Sequence, residues 1–193
     1  MEEKSPETFA GYFDRQMLIA MPGMLDPNFV RSVTLMCQHT EEGAIGITIN
    51  RLSNFTLGEI LKQLDISCED PQLLQTQVLE GGPVNGDRGF VLHTPLEGFE
   101  SSLEINEQIM VTTSRDVLAA IALGQGPERF IVALGYAGWG DGQLESEMRE
   151  NAWLSVPIDS AIVFDLPLKE RWQKAVANLG IDVENLHEVG GHA

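Results

Sequence analysis

Positive charge is scarce in this chain: 12 Lys and Arg stand against 29 Asp and Glu, for a formal net charge of −17. A surface so acidic repels nucleic-acid phosphates and the anionic face of a membrane. The basic residues are scattered, with only Lys169, Arg171 and Lys174 together on one predicted helix, so no basic stripe restores a DNA-binding role. Cysteine is scarcer still. Cys37 and Cys68 lack C-x-x-C spacing, which excludes a zinc framework and a disulfide scaffold and points to a reducing compartment. No run approaches the ~20 apolar residues of a membrane helix. The N-terminal MEEKSPETF is acidic and polar, where a secretory leader is basic and then apolar. A soluble cytoplasmic protein with no membrane partner is expected.

Complete catalytic signatures are missing too. The glycine-rich stretch 81–89 (GGPVNGDRG) has neither the lysine nor the hydroxyl of a P-loop. A dinucleotide fingerprint starting at Gly138 fails because its sixth position is Gln143. Ser114 follows a strand and opens a helix, but its neighbours Thr112, Thr113, Arg115 and Asp116 do not make a G-x-S-x-G elbow. As a helix N-cap it has a sufficient role. His187 and His192 in the tail have no partners in sequence, so no metal site is indicated, and no cofactor can be named.

What is present is ordinary globular patterning, with 43% hydrophobic residues over 193 positions, enough for one α/β domain with a single well-buried core. Residues 1–8 are polar, and Phe9, Tyr12 and Phe13 can pack a short turn onto the body. A strand is expected at 16–21, closed by Pro22 and a turn carrying Asp26. Residues 32–39 and 44–50 read as a β-hairpin. Thr56 and Glu59 form a capping box for a helix over 57–65, followed by a polar connector at 66–77. Further strands are expected at 89–93, 108–113 and within 155–165, with helices at 115–123 and 167–179, the latter stopped by Gly180. A tail runs over 181–193.

The most informative stretch is 130–153, FIVALGYAGWGDGQLESEMRENAW. Its first seven residues are continuously apolar, as in a central strand covered on both faces. Closely spaced glycines then lead into a helix over 142–152 with Leu144, Met148 and Ala152 on one stripe and Gln143, Glu147 and Asn151 on another. The acids near its start already counter the helix dipole, so a cation, an amine or a hydroxyl-rich ligand suits this loop better than a polyphosphate. Tyr136, Trp139, Gln143 and Glu145 would stand there as one wall of a pocket. Elsewhere, the two-residue period puts Cys37 and His39 on one strand face, and Arg88 can offer a bidentate fork to a carboxylate.

The segments LIAMPGMLDPNFVRSV, GAIGITINR, GGPV with RGFVLH, TSRDVLAAIALGQGP, ALGYAGWGDGQLE and the terminal GHA occur in this order over most of the chain, and in combination they resemble the AlgH/YqgE family of bacterial proteins. The resemblance implies a compact mixed α/β domain with a partly barrel-like sheet. It implies no established activity: the family name reflects a link to alginate regulation, and members are often labelled transcriptional regulators. Family-typical positions are Pro22, Asp26, Cys37, His39, Asn50, Arg88, His93, Tyr136, Trp139, Gln143, Glu145 and Trp153. The expectation is a regulatory protein that binds a small molecule or a protein segment in one cleft built from loops 21–28, 81–88 and 135–143. The rival is an enzyme pairing Cys37 with His39 or His93 beside Glu145. Direct DNA binding ranks third.

Overall fold

The computed structural model describes residues 13–181; the expected turn at Phe9 and Tyr12, His187, His192 and the rest of the tail lie outside them. The chain runs β1 (Gln16–Ala20), β2 (Val33–Thr40), β3 (Gly43–Thr48), β4 (Leu52–Thr56), α1 (Leu57–Gln63), α2 (Pro71–Leu74), β5 (Gln77–Glu80), β6 (Val84–His93), β7 (Ser102–Asn106), β8 (Ile109–Thr112), α3 (Arg115–Ala122), β9 (Phe130–Trp139), α4 (Gln143–Arg149), β10 (Trp153–Pro157), α5 (Ser160–Phe164) and α6 (Leu168–Ala177). The strands pair in the order β10-β1-β2-β3-β9-β6-β8-β7, with β4 and β5 branching from β9. All these pairings are antiparallel except β5 with β9. The sheet curls into a half-barrel, giving the mixed α/β domain the sequence predicts.

Curling gives the sheet an inner face, filled by side chains such as Met17, Leu35, Ile47 and Leu92 and closed by Ile162 of α5 and Trp172 and Val176 of α6. The outer face is split. One half lies under α1 and α3, where Leu57, Leu61, Val117 and Ile121 pack on Val91 and Val132. The other lies under α4, where Leu144 packs with Met36, Trp139 and Trp153. Strand β9 serves all three clusters, Ala133 inward, Val132 and Leu134 to the first outer half, Ala137 and Trp139 to the second. That is why its sequence is continuously apolar.

The side-chain alternation along β9 shifts by one at Gly135, whose φ of 75° lies in the left-handed region. There the pairing with β6 jumps from Gly89↔Leu134 to Val84↔Tyr136. A Cβ at Gly135 would strike the Gly82 carbonyl, and one at Gly82 would collide with the Tyr136 backbone. These glycines allow two backbones to touch; they do not open a hole.

Several elements differ from the sequence reading. Strand β6 begins at Val84, inside the expected loop, and β7 replaces an expected loop before β8. The polar connector holds α2, started by Asp70, whose carboxylate accepts from the N–H groups of Gln72 and Leu73, with Pro71 in the first turn. The apolar run after Ser160 belongs to helix α5, capped by Asp159, because so short an apolar run carries no period that distinguishes strand from helix. Helix α4 stops at Arg149, three residues short of the expected end. The capping box of α1 forms as expected, with Thr56 N–H donating to Glu59 at 2.8 Å.

Candidate functional site

The turn from β9 into α4 brings four of the expected residues together. Gly142 holds the bend at φ 66°, so α4 folds back over the strand ends and projects three polar side chains onto them. Trp139 and Trp153 both donate their indole N–H to Glu147 Oε2, at 2.9 and 2.8 Å. Gln143 donates to Glu147 Oε1 at 3.0 Å and accepts from Gly140 N–H at 3.0 Å. Phe29 stacks on Trp139 at 6.3 Å and meets Trp153 edge-on at 5.4 Å, and the two indoles meet edge-on at 5.8 Å. Glu147 is the hub, whereas the sequence places it in a polar stripe and among the acids that counter the helix dipole. The signal was available: two buried indoles require an acceptor, and Glu147 lies one turn from Gln143.

Glu145, two residues before that hub, accepts from His39 Nε2 at 2.7 Å. His39 Nδ1 accepts from Phe13 N–H at 2.9 Å, which puts the ring proton on Nε2. Phe13 stacks on the imidazole at 5.6 Å, and His39 N–H donates to Asp14 at 2.6 Å. The imidazole is buried while Glu145 is one-third exposed. The pair ties β2, α4 and the segment before β1 together.

Cys37 does not share the His39 face. The β2–β3 register jumps between Met36 and Gln38, so Cys37 is the extra residue of a bulge, and a bulge reverses the alternation beyond it. Its side chain packs into the inner cluster, and burial pushes its thiol up to about 12. It shares a 270 Å³ concavity with Arg88, whose guanidinium lies 5.2 Å from the Phe90 ring centre and 6.0 Å from that of Tyr136.

His93 stands in a third place. Its Nδ1 lies 2.8 Å from Thr94 O, a pure acceptor, so Nδ1 carries the proton and Nε2 accepts from Thr112 at 2.7 Å. Thr112 in turn bonds Ser102 at 2.7 Å. Burial lowers the His93 pKa, opposed in part by the Thr94 bond. Asp26 accepts from Asn28 N–H at 2.9 Å, the turn role its Asp-Pro context predicts, and Pro22 lies half-buried just after β1. The ten expected site residues therefore occupy separate neighbourhoods: Trp139, Gln143, Glu145 and His39 at the α4 corner; Cys37, Arg88 and Tyr136 along the inner rim; His93 near β8; Pro22 and Asp26 in the first loop.

A larger concavity lies under the other outer helices. It measures about 390 Å³ between α1, the start of α3 and strands β6, β8 and β9. Ile60, Val91, Leu118, Val132 and Leu134 form its walls, and Asp87, Ser114 and Arg115 its polar edge. Phe55 and Leu64 stand at the lip, 40% and 36% exposed. Arg115 donates from Nε and Nη2 to Leu64 O, at 3.3 and 2.8 Å, bolting the end of α1 to the start of α3. Ser114 occupies the N-cap position of α3 without bonding a helix N–H; its hydroxyl donates to Asp116 and accepts from Ser101 N–H. Burial raises the Asp116 pKa, but the bonds from Ser114 and from the Glu100 and Val117 N–H groups outweigh it and hold the carboxyl below its ordinary value. Of the expected loops, only 81–88 reaches this cleft, through Gly86 and Asp87. Among the described residues no three His, Cys, Asp or Glu side chains gather closely enough to hold a metal ion. No described helix is long and apolar enough to cross a membrane.

A family model described as AlgH-like (DUF179) matches residues 17–184. A UPF0301 protein of Stenotrophomonas maltophilia is 51% identical over 176 residues, 91% of this chain and 94% of its own. One from Xanthomonas campestris is 50% identical over 178 residues, 92% and 95% of the two chains. The solution structure of the AlgH protein from Pseudomonas aeruginosa superposes with a TM-score of 0.78 at 46% identity, covering all of both chains. A crystal structure from Corynebacterium diphtheriae, at 18% identity and TM-score 0.72 over 96% and 94% of the chains, shares the fold.

Proposed function

The chain belongs to the AlgH-like family, and from that premise we propose that it is a cytoplasmic, small-molecule-binding regulatory protein whose ligand seats between α1 and α3. The observation that carries the reading is the 390 Å³ concavity with apolar walls and a polar edge, within the roughly 300–1,000 Å³ range of small-molecule sites. Its chemistry suits an amphipathic molecule: an apolar body against Ile60, Leu118 and Val132, and a polar end at Ser114 and Arg115. The free thiols of Cys37 and Cys68 agree with a reducing compartment. A thiol at about 12 is no nucleophile at neutral pH, and the concavity that Cys37 lines does not include His93, which weighs against a Cys/His mechanism. A net charge of −17 weighs against direct DNA binding.

Gly89 supplies the test. It lines the cleft, and a Cβ there meets nothing within 4 Å, so Gly89→Phe has room to enter the cavity and should leave the chain folded. Methyl NMR of the wild type with a panel of amphipathic metabolites is expected to show saturable shifts at Ile60, Leu118 and Val132 that vanish in Gly89→Phe. Shifts that persist unchanged in the filled variant would overturn the assignment.

A further inference from the structure

At the opposite side of the sheet, a 330 Å³ concavity is bordered by Arg31, Asn50, Arg51, Lys169, Trp172 and Gln173, and among the described residues by no acidic one. In a chain with 29 acids and 12 bases, three cations around one hollow without a carboxylate run against the composition. Among the described residues the ion pairs are His39–Glu145 and Arg129–Asp165, so none of the three is neutralised there. Behind them lies a fourth cation. Arg171 is 5% exposed and, among the described residues, donates to two carbonyls, Ile49 O at 2.6 Å and Leu166 O at 3.1 Å.

The hollow is also held in shape. Arg51 donates to the carbonyls of Pro27 and Val30 at 2.7 and 2.8 Å, leaving its other N–H groups unused by the loop. Asn50 accepts from Val33 N–H at 2.9 Å and donates to Arg31 O at 2.8 Å. The Arg31 guanidinium is laid over the Trp172 ring at 4.9 Å, a cation–π contact that orients its fork. Lys169 sits in the first turn of α6, whose start has no side-chain cap, so orphan N–H groups add to the positive field. Glu170 shares that turn but does not line the hollow.

We propose that this hollow is a binding site for the phosphate group of a small molecule, with Arg31 and Lys169 as its exposed cations and Arg51 and Asn50 as its hydrogen-bonded wall. Guanidinium forks match phosphate oxygens two at a time, and the confined shape with a strongly acidic surround favours a small phosphate over a nucleic acid. The site is separate from the α1/α3 cleft and stands or falls independently of it.

The test titrates the full chain with inorganic pyrophosphate at constant ionic strength, followed by amide and indole NMR. Saturable shifts are expected at Arg31, Asn50, Lys169 and the Trp172 indole. Arg31→Gln combined with Lys169→Gln replaces two exposed side chains and leaves the Arg51 and Asn50 wall intact. The double variant should weaken binding by about tenfold for each charge-assisted bond removed while its amide spectrum away from the hollow stays that of the folded chain. Shifts that grow linearly without saturating, or that are the same in the double variant, overturn the proposal. So does tighter binding of citrate than of pyrophosphate, which would make the hollow a carboxylate site.

Discussion

The two halves of the outer face start from the same strand and end differently. Under α4, three aromatic rings and a carboxylate with three donors fill the space and satisfy one another. Under α1 and α3, aliphatic walls meet an arginine bolt and leave 390 Å³ unfilled. The half richer in aromatic and polar residues is the sealed one. Buried indole N–H groups oblige the fold to supply acceptors, so a concentration of Trp, Gln and Glu marks a closed network here, and the space for a guest lies where side chains are plain.

That contrast breaks most visibly at Glu147. Glu147→Ala strands two indole donors and should cost about 3 kcal/mol, lowering the thermal midpoint by roughly 6–12 °C, whereas Glu147→Gln, which keeps an acceptor, should cost less than half of that; near-equal losses would mean that packing, not the bonds, seals this half. The next effect belongs to the open side. With its folded pKa lowered by burial, His93 takes up its proton at lower pH in the native state than in the unfolded chain. Its contribution is complete above about pH 6.5 and declines as pH falls toward the native value, by up to about 1.4 kcal/mol per pH unit. Urea titrations between pH 7 and 5 should show that slope shallower in His93→Gln. Smaller again, Thr56→Ala removes the α1 capping box and should cost about 1 kcal/mol, raising hydrogen exchange in α1 and at the cleft but not in α4. Last, Gly89→Phe should alter the open half alone.

Much of the fold was legible because its signals are local. The capping box at Thr56, the glycine stop at Gly180 and the continuous apolar run of β9 each state their own structure. The site was less legible because its geometry depends on non-local register. The bulge at Cys37 separates a thiol from a histidine two residues away, and the Gly82–Gly135 contact turns loops that look like ligand cradles into backbone packing. The cleft walls carry no motif at all: Val91, Leu118 and Val132 read as core, and only the missing atoms between them make a site.

The proposed guest enters the plain half and leaves the aromatic half untouched. One spectrum decides it: the protein titrated with an amphipathic ligand that binds, with the methyls of Leu118 and Val132 and the indole N–H signals of Trp139 and Trp153 read together. Saturable methyl shifts with both indole signals unmoved are expected. Moving indole signals over silent methyls would place the site at the α4 corner and contradict the α1/α3 assignment.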